Sequence, residues 1–270
     1  LSLRKAYIEA IGLKNMGFHS AVMKRILKLA WQFHANASLP VLIDGETGTG
    51  KEVIARIIHY GQGDVSTPFI ALNCAAAEPS VLEEELFGCE ESNFTAATVS
   101  GRKGKLDLAR GGTLFLDEIT EMPSALQSQL VRVIKEKEYF RVGGVKVMKA
   151  DVRIIGATRR NIEKEVAQGT FPYDLFCLLN KSRIHLPPLR ERAEDILPLA
   201  TLFLSEFAAE KGKGFEAISQ EAADTILSHD WPGNIKELRN AIQRIVLTSD
   251  DTMLKPAHLA FLNPNSSLAD

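Results

Sequence analysis

The sequence predicts an α/β fold in which helices cover both faces of a parallel sheet, followed by a smaller, helical domain. Short, continuously apolar runs alternate with helical stretches as far as Pro187-Pro188. One of these runs ends at a glycine-rich loop that leads into a helix, which is the order expected at the start of a β-α-β unit. Beyond the two prolines only helical patterns follow.

The individual elements follow in order along the chain. Residues 1–16 resemble a linker or an edge helix, and Ser20 can cap the helix after it, whose apolar residues recur at helical spacing. The predicted strands cover residues 39–44, 69–72, 112–117 and 152–157. The later predicted helices cover residues 52–59, 196–211, 220–228 and 235–248. The predicted domains are therefore an α/β domain at 17–187, a helical domain at 188–262 and a frayed tail at 263–270.

The composition is that of an ordinary globular protein of 270 residues, with 45% hydrophobic and 24% charged residues. The formal net charge of −2 excludes a global basic field that would attract nucleic acid or an anionic membrane. No apolar run approaches the ~18 residues of a membrane span, and no secretion signal opens the chain. We therefore expect a cytoplasmic protein without a membrane partner. The start at Leu1 instead of methionine suggests a part of a longer protein.

The three cysteines are Cys74, Cys89 and Cys177. They are odd in number and widely spaced, and no two of them form a CxxC pair. This pattern argues against a disulfide framework and against a zinc site. We expect reduced thiols in or near a core.

A phosphate-binding loop follows the first predicted strand and fits the pattern G-x-x-x-x-G-K. Its glycines let backbone N–H groups point towards phosphate oxygens, and the helix after the loop directs its positive end at them. The lysine supplies a point charge for the terminal phosphates. The next position holds Glu52, where the general pattern has a serine or threonine that binds Mg²⁺. The predicted nucleotide-binding residues of this segment are Gly45, Glu46, Thr47, Gly48, Thr49, Gly50, Lys51 and Glu52.

A second apolar strand ends in the two carboxylates Asp117 and Glu118. Ligands of open α/β sheets bind at the carboxyl ends of the strands, so these acids are candidates for the same site. Asp117 would position Mg²⁺, and Glu118 would polarise an attacking water. Adjacent acids at a strand end also occur in plain solvated turns, but the phosphate loop favours the functional interpretation. Loop and acids together predict binding of ATP or a related purine nucleotide with Mg²⁺.

Several short segments, in order and with their spacing, match one known family. They are GETGTGKE at 45–52, LNCA at 72–75, LFG at 86–88, GGTLFLDE at 111–118, RVGG at 141–144, LRER at 189–192 and WPGNIKELRN at 231–240. Over about residues 15–262 the chain resembles the central AAA+ domain of bacterial enhancer-binding proteins, the activators of sigma-54 RNA polymerase. This resemblance implies an AAA+ P-loop NTPase fold with a C-terminal helical lid. The family also carries glutamate at the position of Glu52.

The resemblance implies roles for three further residues. Asn73 matches the family's switch residue, which holds the catalytic glutamate (here Glu118) until the nucleotide state changes. Thr158 matches the first sensor near the terminal phosphate. Lys236 matches the second sensor, contributed by the lid, where the family usually has arginine. Lysine keeps the charge at that position but lacks the planar, bidentate fork of arginine.

The sequence departs from the family in the loop that contacts sigma-54, whose hallmark is GAFTGA. The contact pair survives as Phe94 and Thr95, but both glycines are replaced, by Ser92 and Ala96. Because glycine gives such a loop access to positive φ, we expect its loss to stiffen the loop. Tolerated drift in a working loop is the alternative.

A second departure concerns two arginines that reach into the ATP site of the neighbouring subunit in the family. Pro172 and Leu178 occupy their positions. An arginine supplied in trans contributes ~10³–10⁵ in rate to phosphoryl transfer, so we expect weak hydrolysis or none. The family's asparagine after Thr158 is Arg159 here, which either favours anion binding or faces solvent.

The departures predict a nucleotide-binding transcription regulator that acts without sigma-54 remodelling. One alternative is an active ATPase that remodels sigma-54 polymerase. Another is a regulator of biofilm or motility genes that responds to cyclic di-GMP, since Glu52 and Arg56 have the Glu-x-x-x-Arg spacing of some relatives. A helix-surface ion pair is the stronger explanation of that spacing, because Glu–Arg pairs four residues apart commonly stabilise helix surfaces. The resemblance implies as partners a homo-oligomer between dimer and hexamer, RNA polymerase with its sigma factor, and DNA through a domain outside this chain.

Overall fold

The computed structural model describes residues 18–61, 66–90 and 101–262. The chain divides into two compact units, which we call the α/β unit and the helical unit. The α/β unit consists of Leu27–Gly45 and Lys51–Leu186. The helical unit contains the C-terminal part from Pro187, the chain before Leu27 and the short segment Glu46–Gly50. The domain limits drawn from the sequence stay predictions.

The strands of the described residues are β1 (Val41–Asp44), β2 (Phe69–Asn73), β3 (Gly88–Cys89), β4 (Arg102–Lys103), β5 (Thr113–Asp117), β6 (Glu138–Phe140), β7 (Val147–Lys149), β8 (Arg153–Thr158), β9 (Arg183–His185), β10 (Ala217–Ile218) and β11 (Met253–Leu254). The α-helices are α1 (Ala21–Ala35), α2 (Lys51–Tyr60), α3 (Pro79–Phe87), α4 (Lys105–Leu108), α5 (Ser124–Glu136), α6 (Ile162–Ala167), α7 (Tyr173–Leu179), α8 (Ile196–Lys211), α9 (Gln220–Ser228) and α10 (Asn234–Thr248).

A five-stranded, fully parallel sheet forms the centre of the α/β unit, in the order β2-β5-β8-β1-β9. Every residue of β1 and of β8 is buried, because helices cover both faces of a parallel sheet. Side chains of the central strands, such as Leu42, Leu116 and Ile154, join one core with helix residues such as Leu130. The predicted parallel sheet is therefore confirmed, with strand ends shifted by one or two residues. The sequence reading missed β9.

The carboxyl ends of the parallel strands bring polar residues to one edge of this sheet. Asp44 and Thr158 are register partners at the ends of β1 and β8. Asn73 and Asp117 are partners at the ends of β2 and β5. Sequence-distant residues therefore meet at this edge, as is usual for ligand sites of open α/β sheets.

The helical unit has its own core, built mainly from α8, α9 and α10. Trp231 is fully buried in it, and its indole N–H donates to the backbone oxygen of Ile226 at 2.8 Å. The unit also contains a pair of parallel two-residue strands, β10 and β11. The predicted cap at Ser20 is confirmed, since its hydroxyl accepts the backbone N–H of Met23 at 3.3 Å. Among the described residues, no helix combines the length and apolar character needed to span a bilayer.

The cysteines only partly follow the expectation of buried thiols. All three are free. Cys74 is buried, and this burial raises the pKa of its thiol to about 12. Cys89 is half-buried. Cys177 is exposed on α7, so the expectation is wrong for it, because its position falls on the solvent side of an amphipathic helix.

Candidate nucleotide site

In the α/β unit, the two ends of the phosphate loop are fixed to the sheet edge. Gly45 directly follows β1, and its backbone N–H donates to the carbonyl of Thr158 at 3.2 Å. Lys51 opens α2 and is only 7% exposed, and its ammonium donates to the carbonyl of Gly45 at 2.9 Å. This hydrogen bond joins the residue before the segment 46–50 to the residue after it. It holds the lysine where the sequence predicts the terminal phosphates.

Two carboxylates share this edge with Lys51. Burial lowers the pKa of Lys51, and the charges of Glu118 and Asp117 oppose that shift. Burial likewise raises the pKa of Asp117, against the charge of Lys51. Lys51 and Asp117 are thus both poorly solvated, and each of them gains from a counter-charge. A bound phosphate with its metal ion would supply both signs of charge.

The carboxylate of Asp117 also fits a Mg²⁺ ligand. Its Oδ1 accepts the backbone N–H of Glu118 at 3.1 Å, while no described residue donates a hydrogen bond to its Oδ2. The described residues contain no cluster of three metal-binding side chains. Mg²⁺ usually takes one or two carboxylates and completes its shell with phosphates and water, so a single carboxylate suits it.

Glu118 adopts the left-handed conformation, with φ at 52°, directly after β5. Its Oε2 accepts the backbone N–H of Arg159 at 3.2 Å, and the Arg159 guanidinium lies 3.8 Å from the same oxygen. Asn73 is exposed, and its side chain accepts the backbone N–H of Ala75 at 2.9 Å. No hydrogen bond joins Asn73 to Glu118 in the described residues. The switch role of Asn73 stays a prediction.

Thr158 is completely buried at the end of β8. Its hydroxyl lies 2.8 Å from that of Thr120 and accepts the backbone N–H of Arg160 at 3.0 Å. The side chain that was predicted to sense the phosphate is therefore already hydrogen-bonded within the protein. Its sensor role stays a prediction.

Sequence reasoning missed a charge cluster at the carboxyl end of β1. Asp44, the last residue of β1, accepts a hydrogen bond from Arg183 Nε at 2.7 Å and lies 2.6 Å from His185 Nδ1. Burial opposes its ionisation, but these hydrogen bonds outweigh burial and lower the pKa of Asp44. Arg183 also pairs with Glu163. No local motif links Asp44 to Arg183, which lies 139 positions further along the chain.

In the helical unit, the segment Glu46–Gly50 is held by backbone contacts to the start of α10. The backbone N–H of Ile235 donates to the carbonyl of Gly48 at 3.0 Å. Gly48 has φ at 79°, and a Cβ on it would lie 2.3 Å from the Gly233 oxygen. Any other residue would push these two segments apart. Within the segment, the Thr49 hydroxyl donates to the carbonyl of Glu46 at 2.8 Å.

Asn234 is the main residue of the helical unit that sequence reasoning missed. It is fully buried and left-handed, with φ at 56°. Its amide donates to the Thr47 carbonyl at 3.0 Å and to Glu46 at 3.1 Å, and its oxygen accepts the Leu189 N–H at 2.7 Å. Asn234 lies inside the WPGNIKELRN segment, which contributes to the family resemblance and contains Lys236, but the sequence analysis assigns no role to Asn234 itself.

Two arginines of the LRER segment hold the same loop segment. Arg190 makes a bidentate ion pair with Glu46, at 2.6 and 2.9 Å. The hydrogen bonds from Arg190, followed by that from Asn234, lower the pKa of Glu46 to about 2. Arg192 is buried and donates to the Thr49 carbonyl at 2.8 Å. Glu46 and Thr49 are thus held by side chains, in addition to the backbone contacts.

The remaining predicted residues are exposed or lie outside the described residues. Thr47 is exposed, and Lys236 is exposed in the first turn of α10. Glu52 is exposed on α2 and forms an ion pair with Arg56. Phe94 and Thr95, with the substituted glycine positions 92 and 96, lie outside the described residues.

The positions of the two missing arginines lie at the start and in the last turn of α7. Pro172 immediately precedes the helix, and Leu178 is half-buried against the core of the α/β unit. Among the nearby arginines, Arg160 makes a bidentate ion pair with Glu121, at 2.9 Å for each bond.

These features define the class of the protein. A parallel sheet with a phosphate loop after its first strand, two carboxylates at the same sheet edge, and a C-terminal helical unit are the parts of an AAA+ P-loop domain. Models of known families agree with this class. Residues 16–185 match the Sigma-54 interaction domain, and residues 190–267 match the AAA+ ATPase lid domain. The chain belongs to the sigma-54 interaction domain family.

Individual relatives agree with this assignment. Nitrogen fixation protein AnfA of Azotobacter vinelandii is 41% identical over 257 residues, which are 95% of this chain and 48% of AnfA. NtrX from Brucella abortus in complex with ADP superposes with a TM-score of 0.83 at 32% identity, covering 95% of this chain and 56% of NtrX. Its complex with ATP gives 0.81 at 34% identity, covering 91% and 54%. The chain thus spans about half the length of the relatives it matches.

Proposed function

We propose that this chain binds ATP with Mg²⁺, hydrolyses it slowly, and serves a bacterial transcription regulator that works without remodelling sigma-54 polymerase. Its roles would be nucleotide binding and nucleotide-dependent assembly into an oligomer. RNA polymerase and, through a domain outside this chain, DNA would be the partners of the whole protein. The proposal has two parts, nucleotide binding and slow hydrolysis, and different residues support each part.

Binding is supported by the residues around the phosphate loop. In the α/β unit, Lys51 is held across the loop base by the Gly45 carbonyl, and Asp117 offers a carboxylate oxygen to a metal ion. The helical unit holds Glu46 through the bidentate Arg190 pair. NtrX, a relative from Brucella abortus, has been solved with ATP and with ADP. When bound, Mg²⁺ would neutralise the phosphates beside Asp117.

Slow hydrolysis rests on one observation: neither position of the family's arginine pair carries a charge. Pro172 and Leu178 cannot stabilise the charge that develops on a transferring phosphoryl group. Random decay would have damaged the phosphate loop as well, yet that loop is complete. The loss is selective, which favours a site that holds nucleotide over one that consumes it.

The nearby arginines offer poor substitutes. Arg183 pairs with Asp44 and Glu163, and Arg160 pairs with Glu121, all within the same unit. Moving either guanidinium to another subunit would leave carboxylates without their partners. Arg159 is more exposed, and it faces Glu118.

The deciding experiment measures ATP binding by calorimetry and phosphate release on one sample, over a range of protein concentrations. We expect saturable Mg²⁺-dependent binding and turnover far below one per second at every concentration. Lys51→Ala is expected to remove binding, and Lys24→Ala, an exposed lysine on α1, serves as the matched control. Turnover that rises steeply with protein concentration would exclude the proposal.

A working ATPase that remodels sigma-54 polymerase is the second candidate. Family membership and the intact Asp117, Glu118 and Asn73 favour it. It predicts a complex with sigma-54 in the presence of ADP and aluminium fluoride, formed through Phe94 and Thr95. The absence of that complex would count against this candidate and for the first.

A response to cyclic di-GMP is the third candidate. It rests on the Glu52–Arg56 spacing, and in the structure these two side chains form an ion pair at 2.5 Å within α2. That pair accounts for the spacing without a ligand. Calorimetry with cyclic di-GMP separates the two explanations, and the absence of heat at micromolar concentration would remove this candidate.

A further inference from the structure

A cavity lies at the edge of the central sheet opposite to the candidate nucleotide site. It has a volume of about 610 Å³, within the range of small-molecule sites, and all its lining residues belong to the α/β unit. Thr113 and Arg153, the first residues of β5 and β8, line it. Thr158, the last residue of β8, lies five residues further along the same strand. At about 3.3 Å per residue, this separates the cavity from the nucleotide edge by roughly 16 Å.

Arg153 is a buried guanidinium without a carboxylate partner in the described part of the chain. It is 7% exposed, and it donates from Nη2 to the Phe33 carbonyl at 2.7 Å and from Nε to the Leu39 carbonyl at 3.1 Å. Burial alone lowers its pKa to about 10. The dipoles of these two backbone carbonyls compensate such a charge only in part. No described residue accepts a hydrogen bond from Nη1.

The other charges around the cavity are mostly positive. Lys137 and Lys149 line it together with Arg153, while Asp151 is the only acid among the lining residues. Lys149 pairs with Glu138, which lies outside the lining, whereas Lys137 has no carboxylate partner in the described residues. Counting lining residues only and both histidines as neutral, the formal charge of the cavity is +2. A dianion matches that charge.

The two histidines of the cavity act as walls. His34 Nδ1 lies 3.0 Å from the Ile58 carbonyl. His59 lies 2.8 Å from the Thr113 hydroxyl through Nδ1 and 3.2 Å from the Thr67 carbonyl through Nε2. His34 Nδ1 and both ring nitrogens of His59 thus already have protein partners. Among the lysine and arginine side chains of the cavity, Arg153 and Lys137 are the two without a carboxylate partner in the described residues, and we expect them to make the charged contacts to a ligand.

We infer that this cavity is a binding site for a small phosphate monoester, separate from the phosphate loop, with the phosphate held by Arg153 and Lys137. The volume admits a sugar phosphate or a mononucleotide. A phosphate would supply the missing counter-charge for the buried guanidinium and would accept the hydrogen bond from its Nη1. This inference does not depend on the fate of ATP at the other edge of the sheet.

Calorimetry with ribose 5-phosphate tests the inference on the whole chain, with neutral ribose as the probe for charge. We expect saturable binding of the phosphate and none of ribose. Binding should weaken at least about tenfold in Arg153→Lys, since lysine lacks the planar fork. It should weaken about three- to fivefold in Lys137→Gln. Lys164→Gln, the same change on an exposed lysine of α6 outside the cavity, should bind like the unchanged chain.

Lys51→Ala separates the two phosphate sites. Binding of ribose 5-phosphate that survives Lys51→Ala and weakens in Lys137→Gln supports the cavity. Loss of binding in Lys51→Ala, equal binding of ribose, or an unchanged affinity in Lys137→Gln would each overturn the inference. Because Lys137 is exposed, we expect Lys137→Gln to fold normally, so this variant tests the phosphate site even if Arg153→Lys fails to fold.

Discussion

Arg159 contacts Glu118 in two ways: its backbone N–H donates to Glu118 Oε2 at 3.2 Å, and its guanidinium lies 3.8 Å from the same oxygen. The resemblance assigns asparagine to this position and the catalytic role to Glu118. A positive charge therefore stands beside the carboxylate that would activate water. The Arg159 side chain is 53% exposed, so solvent screens its ion pair with Glu118 and keeps it weak.

Replacing Arg159 tests whether it restrains Glu118. We expect Arg159→Asn to raise ATP turnover about two- to fivefold, because an exposed ion pair contributes at most about 1 kcal/mol. Steady-state phosphate release measures this change. Arg160→Asn is the matched control, since that neighbouring guanidinium pairs with Glu121. Lower or unchanged turnover in Arg159→Asn would show that the contact does not restrain the carboxylate.

Restoring the arginine pair tests the proposed cause of slow hydrolysis. The double variant Pro172→Arg with Leu178→Arg is expected to raise turnover at least about tenfold, and only at protein concentrations that permit assembly. Leu178 is half-buried against the core, so its replacement also costs stability. Thermal unfolding should therefore be followed in parallel. Leu178→Met with Pro172→Ala supplies the uncharged control, and equal rates in both double variants would refute the explanation.

Asn234 is expected to be the most sensitive residue of the helical unit. Asn234→Ala leaves the buried N–H of Leu189 and the carbonyl of Thr47 without partners and places alanine at a φ of 56°. We expect a loss of about 3–4 kcal/mol in the free energy of unfolding. Asn234→Gly should lose about 1 kcal/mol less, because glycine adopts this φ freely.

The control for Asn234 is Asn240→Ala, an exposed asparagine on the same helix, which should change stability by less than about 0.5 kcal/mol. Urea unfolding is monitored by tryptophan fluorescence in a Trp31→Phe background, in which the buried Trp231 is the remaining tryptophan and reports on this unit. If the variants at positions 234 and 240 behave alike, the hydrogen bonds of Asn234 contribute nothing measurable.

The charge cluster at Asp44 predicts a pH dependence. The folded pKa of Asp44 is lowered below its ordinary value of 3.8, so its ionised form stabilises the fold. That stabilisation is fully present above about pH 3.8 and is lost as the pH falls through the folded pKa. We expect Asp44→Asn to lose about 1–3 kcal/mol at pH 7, and the difference from the unchanged chain to shrink below pH 3.8.

Urea unfolding at pH 7 and at pH 3 measures the Asp44 effect. Glu163→Gln removes the other, more exposed partner of Arg183 and should cost less than about 1 kcal/mol at pH 7. A loss in Asp44→Asn that stays constant across this pH range would mean that its origin is packing and not charge.

Much of the fold could be read from the sequence because the relevant signals are local. The buried strands β1, β5 and β8 are continuous apolar runs, and α8 and α9 were predicted with the bounds observed. Strand β9 was missed, because its three residues alternate between polar and apolar and pair only with β1 at the edge of the sheet. The exposure of Cys177 also escaped prediction, because the packing of α7 decides which side of this short helix faces solvent.

By itself, the sequence determined the parallel α/β fold, the family, the phosphate loop and the pair Asp117-Glu118, since each is a contiguous motif or a short-range periodicity. Only the tertiary structure decided which side chains hold these motifs. Asp44 meets Arg183 across 139 positions of the chain, and Asn234 meets Glu46 across 188. The tertiary structure likewise decided the cavity around Arg153, since its basic side chains come from separate strands and loops. Such pairings depend on how the chain folds back on itself, and short-range patterns in one sequence do not indicate which distant residues come into contact.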